Sequence, residues 1–156
     1  MKKQSTSIAI TFIWVGFIGA ISFMEAWLKF RAPGIDTALG LGIGQLVFNA
    51  LNKVEITSAV LIALLSIASK EKKIIRVQGL FYVAVAILVL QSVWLLPALD
   101  TRANLIRDGV VLGKSKLHLW YVLVEIVKIT CLILFGFRSF KHLNTNEQWK
   151  YVSNSK

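Results

Sequence analysis

Four long apolar runs dominate this sequence and limit what the chain can fold into. They cover residues 8–30, 51–69, 77–96 and 117–137. At about 1.5 Å per residue, a helix of about 20 residues crosses the roughly 30 Å hydrocarbon core of a bilayer. The sequence therefore predicts an all-α, polytopic membrane protein. We expect one domain, a bundle of four transmembrane helices over residues 1–137, followed by a basic tail over residues 138–156.

The composition agrees with this prediction. Of the 156 residues, 56% are apolar and 17% are charged, whereas soluble domains carry roughly a quarter charged residues. A soluble fold of this length would need more polar groups to cover its surface. The single cysteine, Cys131, excludes intramolecular disulfides and cysteine zinc sites.

Breaker residues predict where the runs end. Pro33 and Gly34 indicate a turn after the first run, and Asp36 is a candidate helix N-cap. The segment 38–50 is amphipathic and rich in glycine, so it could lie at the interface or continue into the second span. Pro97 is predicted to stop the third span, and residues 98–116 then form the longest loop.

The charges predict an orientation. On the four-span arrangement, one side carries ten of the 18 basic residues and only two acidic ones, Glu71 and Glu147. By the positive-inside rule this side is cytoplasmic, so both termini are expected in the cytoplasm. The basic side is expected to contact anionic lipid headgroups. Because topology explains most of the net charge of +10, we expect no nucleic-acid partner.

Ionisable residues within the spans are the strongest functional signal, since each is costly in lipid unless it is paired or hydrated. At about 100° per residue, the fourth span places four polar side chains within about 80° of arc. This stripe must face the bundle interior, and it contains His118, Tyr121, Glu125 and Lys128. Glu125 and Lys128 could simply neutralise each other as an i, i+3 pair.

Polar residues in the other spans lie at a similar depth, in the half away from the termini. They predict a polar, outward-facing pocket within the membrane, closed on the cytoplasmic side. Glu25 and Lys29 could instead have only a structural role, because the Lys29 side chain can extend to the lipid headgroups. We assign ten candidate ligand-binding residues: Glu25, Asn49, Asn52, Glu55, Gln91, Arg102, His118, Tyr121, Glu125 and Lys128.

Two segments of the last third, Trp94 to Arg102 and His118 to Lys128, carry a resemblance. Here the chain resembles a family of uncharacterised bacterial four-span integral membrane proteins that looks related to a small eukaryotic transmembrane protein family. The resemblance implies a four-helix membrane protein and no particular activity. The residues it would carry over are Asp100, Arg102, His118, Tyr121, Glu125 and Lys128. We accordingly expect the protein in a bacterial inner membrane.

Three functions remain open at this point. The first is binding, with or without translocation, of a small molecule or ion, in a chain that could act as a homo-oligomer or with a membrane partner. The second is an accessory or assembly subunit of a membrane complex, whose buried charges specify packing. The third is an enzyme acting on a lipid-like substrate, with His118 or Glu125 as general base. Since no metal, phosphate or nucleophile motif is present, we expect no cofactor and no metal, and we assign no catalytic residue.

Overall fold

Helices account for nearly all of the computed structural model, which describes residues 2–68, 75–113 and 115–154. The first helix runs from Lys2 to Arg31 and the third from Ile75 to Arg107, and both contain π-helical turns. The second, Thr37–Ile67, and the fourth, Leu117–Asn154, are α-helical throughout. No strand occurs in these three ranges.

Each of the four helices contains a stretch long and apolar enough to cross a membrane. These stretches are Lys2–Arg31, Thr37–Ile67, Val77–Arg107 and Leu117–Thr145. The predicted all-α four-helix bundle of a polytopic membrane protein is thereby confirmed. Large apolar side chains cover much of its outer surface, as lipid contact requires.

Two helices contain π-helical turns, in which the backbone hydrogen bond spans five residues instead of four. In the first helix the turn is Gly19–Glu25, and the Ala26 N–H donates to the Ile21 carbonyl at its end. In the third helix it is Gln91–Leu95, and the Leu96 N–H donates to the Gln91 carbonyl. Such turns commonly lie at functional sites.

The prediction that Pro97 ends the third span is wrong. The helix continues from Leu96 to Arg107, and Pro97 lies in the first turn of this segment. A missing N–H is tolerated there. Most of the predicted loop 98–116 is therefore helical, and only residues 108–116 connect the third and fourth helices.

The second helix answers the question left open for residues 38–50, which are continuous with the second span. Asp36 is its N-cap, as predicted, and its Oδ1 accepts a hydrogen bond of 2.7 Å from the Leu39 N–H. The fourth helix continues from the predicted span 117–137 into the tail and ends at Asn154. The predicted basic connection over residues 70–76 lies largely outside the described residues.

Contacts near the chain termini show how the helices align. Lys3 Nζ donates to the Ala68 carbonyl at 3.2 Å, and Gln4 Nε2 donates to the Ser139 carbonyl at 3.4 Å. The start of the first helix thus lies beside the end of the second and the late part of the fourth. We call this side the terminal end, and the opposite side, with connections 32–36 and 108–116, the turn end.

The apolar core occupies the half of the bundle towards the terminal end. All four helices contribute buried side chains to it: Trp14, Ile18, Ala59, Ile62, Phe81, Ala84, Leu88, Leu132 and Phe135. The third helix packs on the fourth before its π-helical turn and mainly on the second after it. Polar side chains are concentrated between this core and the turn end.

Candidate functional site

A group of six polar side chains lies buried between the four helices, next to the apolar core. Its members are Trp14, Ser22, Glu55, Gln91, Glu125 and Lys128, and we call it the buried charge cluster. Five of them are at most 1% exposed and Ser22 is 9% exposed. Charged groups so far from solvent require close partners, because desolvation of an unpaired charge is very costly.

Lys128 is at the centre of the cluster. Its Nζ lies 2.5 Å from Glu55 Oε1 and 2.9 Å from Glu125 Oε2. It also donates to Gln91 Oε1 at 2.7 Å. An ammonium group has three N–H donors, so these three acceptors satisfy it completely.

Glu125 accepts hydrogen bonds on both carboxylate oxygens. Ser22 Oγ donates to Oε1 at 3.0 Å, and Gln91 Nε2 donates to Oε2 at 2.5 Å. Both donors come from the π-helical turns of the first and third helices. The irregular turns therefore supply side chains to this carboxylate from two directions.

Glu55 contributes the second carboxyl group, from the middle of the second helix. Its Oε1 accepts a hydrogen bond of 2.9 Å from the Trp14 indole N–H in addition to its contact with Lys128. A buried indole requires an acceptor for its N–H. Trp14 thus connects the apolar core to the cluster.

A separate cavity of about 290 Å³ lies nearer the turn end and is bordered by all four helices. Its wall is mainly apolar, with Phe30, Phe48 and Leu99 among the lining residues. The polar and charged lining residues are Lys29, Gln45, Asp100, His118 and Tyr121. We call this space the outer cavity.

Lys29 lies in the wall of the outer cavity. Its Nζ donates to Glu25 Oε2 at 3.2 Å and lies 5.5 Å and 5.6 Å from the ring centres of Phe30 and Phe48. Gly44 allows this position, because a Cβ atom there would come within 3.0 Å of Nζ. One ammonium is therefore held at the cavity by a carboxylate and two aromatic faces.

Asp100 on the third helix accepts two hydrogen bonds from the second helix beside the cavity. Gln45 Nε2 donates to the Asp100 carbonyl at 3.0 Å, and Asn49 Nδ2 donates to Asp100 Oδ2 at 3.1 Å. On the opposite wall, Tyr121 packs edge to face on Phe48, with ring centres 5.6 Å apart. Tyr121 precedes Glu125 by one helical turn, so it lies between the outer cavity and the buried charge cluster.

The structure divides the ten predicted site residues into three groups. Glu55, Gln91, Glu125 and Lys128 belong to the buried charge cluster. His118 and Tyr121 line the outer cavity, and Glu25 adjoins it through Lys29. The residues of the single predicted pocket are thus divided between a buried charge cluster, a separate cavity and contacts elsewhere.

The remaining three predicted residues have partners of their own. Asn49 bonds to Asp100, as described above, and Asn52 Nδ2 donates to Ser92 Oγ at 2.6 Å. The Arg102 guanidinium donates to the Gly113 carbonyl. These bonds join helices or fix the connection before the fourth helix, and none of the three residues lines the cavity.

Trp14 and Ser22 belong to the buried charge cluster but are not among the ten predicted site residues. Trp14 offered a signal, because a tryptophan in the middle of a span must find an acceptor for its N–H. Ser22 offered none, since a serine in a membrane helix can bond to its own backbone. Lys29, Gln45 and Asp100 are further cavity residues beyond the ten that were assigned.

In comparisons with known proteins, no protein-family model, no curated protein and no solved structure matches the chain. The resemblance to bacterial four-span proteins therefore stays a prediction. Within the described ranges, no three His, Cys, Asp or Glu side chains come together as a candidate metal site.

Proposed function

We propose that this four-helix membrane protein binds a small amphipathic molecule in the outer cavity. The observation that carries the proposal is the cavity itself, because its volume of about 290 Å³ is close to the lower end of the range for small-molecule sites. Its lining is mainly apolar with a few polar groups, which is the usual composition of such sites.

The polar groups indicate how a ligand would be oriented. Lys29, His118 and Tyr121 can donate hydrogen bonds to a polar or anionic end, while Phe30 and Phe48 can contact an apolar body. The polar end would then lie near the ammonium of Lys29. The first and fourth helices would provide most of the polar contacts.

The orientation in the membrane is part of this proposal. We place the terminal end in the cytoplasm, because the basic residues near both termini follow the positive-inside rule. The outer cavity then faces the outside of a bacterial inner membrane. Anionic headgroups at the cytoplasmic surface would balance the basic side chains there.

Binding is better supported than passage through the bundle. Between the outer cavity and the terminal end lie the buried charge cluster and the apolar core. A molecule crossing the bundle would have to separate the contacts of Lys128 and the side chains around Trp14. These buried contacts close the cavity towards the terminal end, which favours binding over translocation.

Filling the cavity tests the proposal. Leu99→Trp places an indole in the cavity wall, whereas Leu105→Trp places the same group at an exposed position of the same helix. Each protein is purified in lipid nanodiscs, incubated with a total organic extract of the producing cells, and analysed by native mass spectrometry. We expect the wild type and L105W to retain an added small-molecule mass that L99W lacks.

Two results would contradict the proposal. One is a wild-type protein that retains no added mass after exposure to the extract. The other is equal retention by L99W and the wild type, which would place the bound molecule outside the cavity.

A further inference from the structure

The buried charge cluster contains one more acidic group than basic groups, and this imbalance has a chemical consequence. We propose that the cluster is a proton-binding site in which Glu55 carries the proton while Glu125 stays ionised and paired with Lys128. The proposal does not depend on ligand binding in the outer cavity. The only ligand that the buried charge cluster binds in this proposal is a proton.

The geometry indicates that Lys128 is charged. Three acceptor oxygens, from Glu55, Gln91 and Glu125, surround its Nζ at 2.5 to 2.9 Å. An ammonium group matches them with three N–H donors, whereas a neutral amine has only two. The cluster thus has one fixed positive charge.

Two ionised carboxylates would leave a net charge of −1 inside the bundle. Both carboxyl groups are at most 1% exposed, so water cannot compensate that charge. The remaining members, Trp14, Ser22 and Gln91, are neutral. One proton added to a carboxylate makes the whole cluster neutral without moving any side chain.

The hydrogen bonds indicate which carboxyl group holds the proton. Glu125 receives donors on both of its oxygens, as an ionised carboxylate does. For Glu55, both the Trp14 indole and the Lys128 ammonium reach Oε1. With Oε1 as the acceptor of both donors, Oε2 is the oxygen left to carry the proton.

The titratable groups around Glu55 are few. The fourth helix presents Glu125 and Lys128, together with Tyr121 one helical turn before Glu125. From the first and third helices, Trp14, Ser22 and Gln91 face the cluster. Tyr121 also lines the outer cavity, so it is the titratable neighbour of the cluster on the side of the turn end.

Infrared difference spectroscopy tests the proposal directly, because a protonated carboxylic acid has a carbonyl stretching band that an ionised carboxylate lacks. The full-length protein in lipid nanodiscs is measured at neutral pH in H2O and in D2O. We expect one such band in the wild type, shifted to lower frequency in D2O. We expect its loss in Glu55→Gln and in Glu125→Gln, because each leaves a single carboxylate opposite Lys128. Glu25→Gln should keep the band.

Two further variants decide between the carboxyl groups. Trp14→Phe removes a donor to Glu55 Oε1 and should move the band to higher frequency. Ser22→Ala removes a donor to Glu125 and should leave the band where it is. The absence of a band in the wild type, its persistence in E55Q, or its displacement by S22A would each overturn the proposal.

Discussion

Lys128 places a full positive charge in the middle of the bundle, where none of its side chain is exposed. Its stability there depends on three oxygen atoms that belong to three different helices. Removing one partner of a buried ion pair leaves the others uncompensated and typically costs about 3–5 kcal/mol. Lys128 therefore links the stability of the charge cluster to the packing of the second, third and fourth helices.

Replacing this lysine tests that dependence. Lys128→Met should lower the free energy of unfolding by about 3–5 kcal/mol, because it leaves the buried Glu125 carboxylate without its counter-ion and Glu55 without a hydrogen-bond donor. Lys53→Met is the matched control, since Lys53 lies on an exposed face of the second helix. Unfolding in mixed micelles with increasing denaturing detergent measures both. Equal loss in K128M and K53M would show that the buried contacts of Lys128 contribute little to stability.

For individual residues, the sequence predicted ion pairs within one helix but not the direct contacts between helices. The i, i+3 spacing of Glu125 and Lys128 predicts their contact, and the i, i+4 spacing of Glu25 and Lys29 predicts theirs. The shared depth placed Glu55 in one pocket with the first pair, but its direct contact with Lys128 could not be derived. It depends on the rotation and vertical position of one helix against another, which a single sequence does not specify.

The start of the second helix is determined by a nearby side chain in the sequence, whereas the two π-helical turns occur where helices pack on each other. Asp36 caps the second helix through its side chain, and a 31-residue α-helix follows without interruption. The two π-helical turns lie instead where the first and third helices pass Glu125. Because a π-helical turn requires no particular side chain, its position cannot be predicted from the sequence, and Pro97 alone predicts a helix end at this point.

The cap of the second helix can be tested by itself. Asp36→Ala should reduce the free energy of unfolding by about 1 kcal/mol, because the first-turn N–H of Leu39 loses its acceptor. Asp36→Asn keeps an acceptor oxygen at the same place and should stay close to the wild type. Thermal unfolding followed by circular dichroism measures both variants. A D36N protein as unstable as D36A would mean that the charge at this position matters and the cap does not.

Over the whole molecule, the charges are distributed in a way that predicts its orientation. The segments near both termini and the connection between the second and third helices are strongly basic. The number of helices and their positions along the chain could be predicted from the pattern of apolar residues. Helix rotation, and with it the division into an outer cavity and a buried charge cluster, depends on contacts between residues far apart in sequence.

Reporter fusions test the orientation. Green fluorescent protein attached at the C-terminus should fluoresce, because it folds in the cytoplasm. Alkaline phosphatase inserted after Val111, an exposed residue of the 108–116 connection, should be active, because this enzyme folds into its active form only outside the cytoplasm. The same two reporters exchanged between these sites serve as controls and should be silent. An active phosphatase at the C-terminus would reverse the proposed topology.

The π-helical turns also determine how this chain must be compared with other sequences. Each turn accommodates one residue more than an α-helix of the same length. A relative with regular helices would therefore align with the first and third spans only if a one-residue gap is placed within Gly19–Glu25 and within Gln91–Leu95. Without those gaps, every position beyond the turn is assigned to a helix face about 100° away from its true one. Substitution patterns on the two sides of each turn should accordingly be analysed as separate registers.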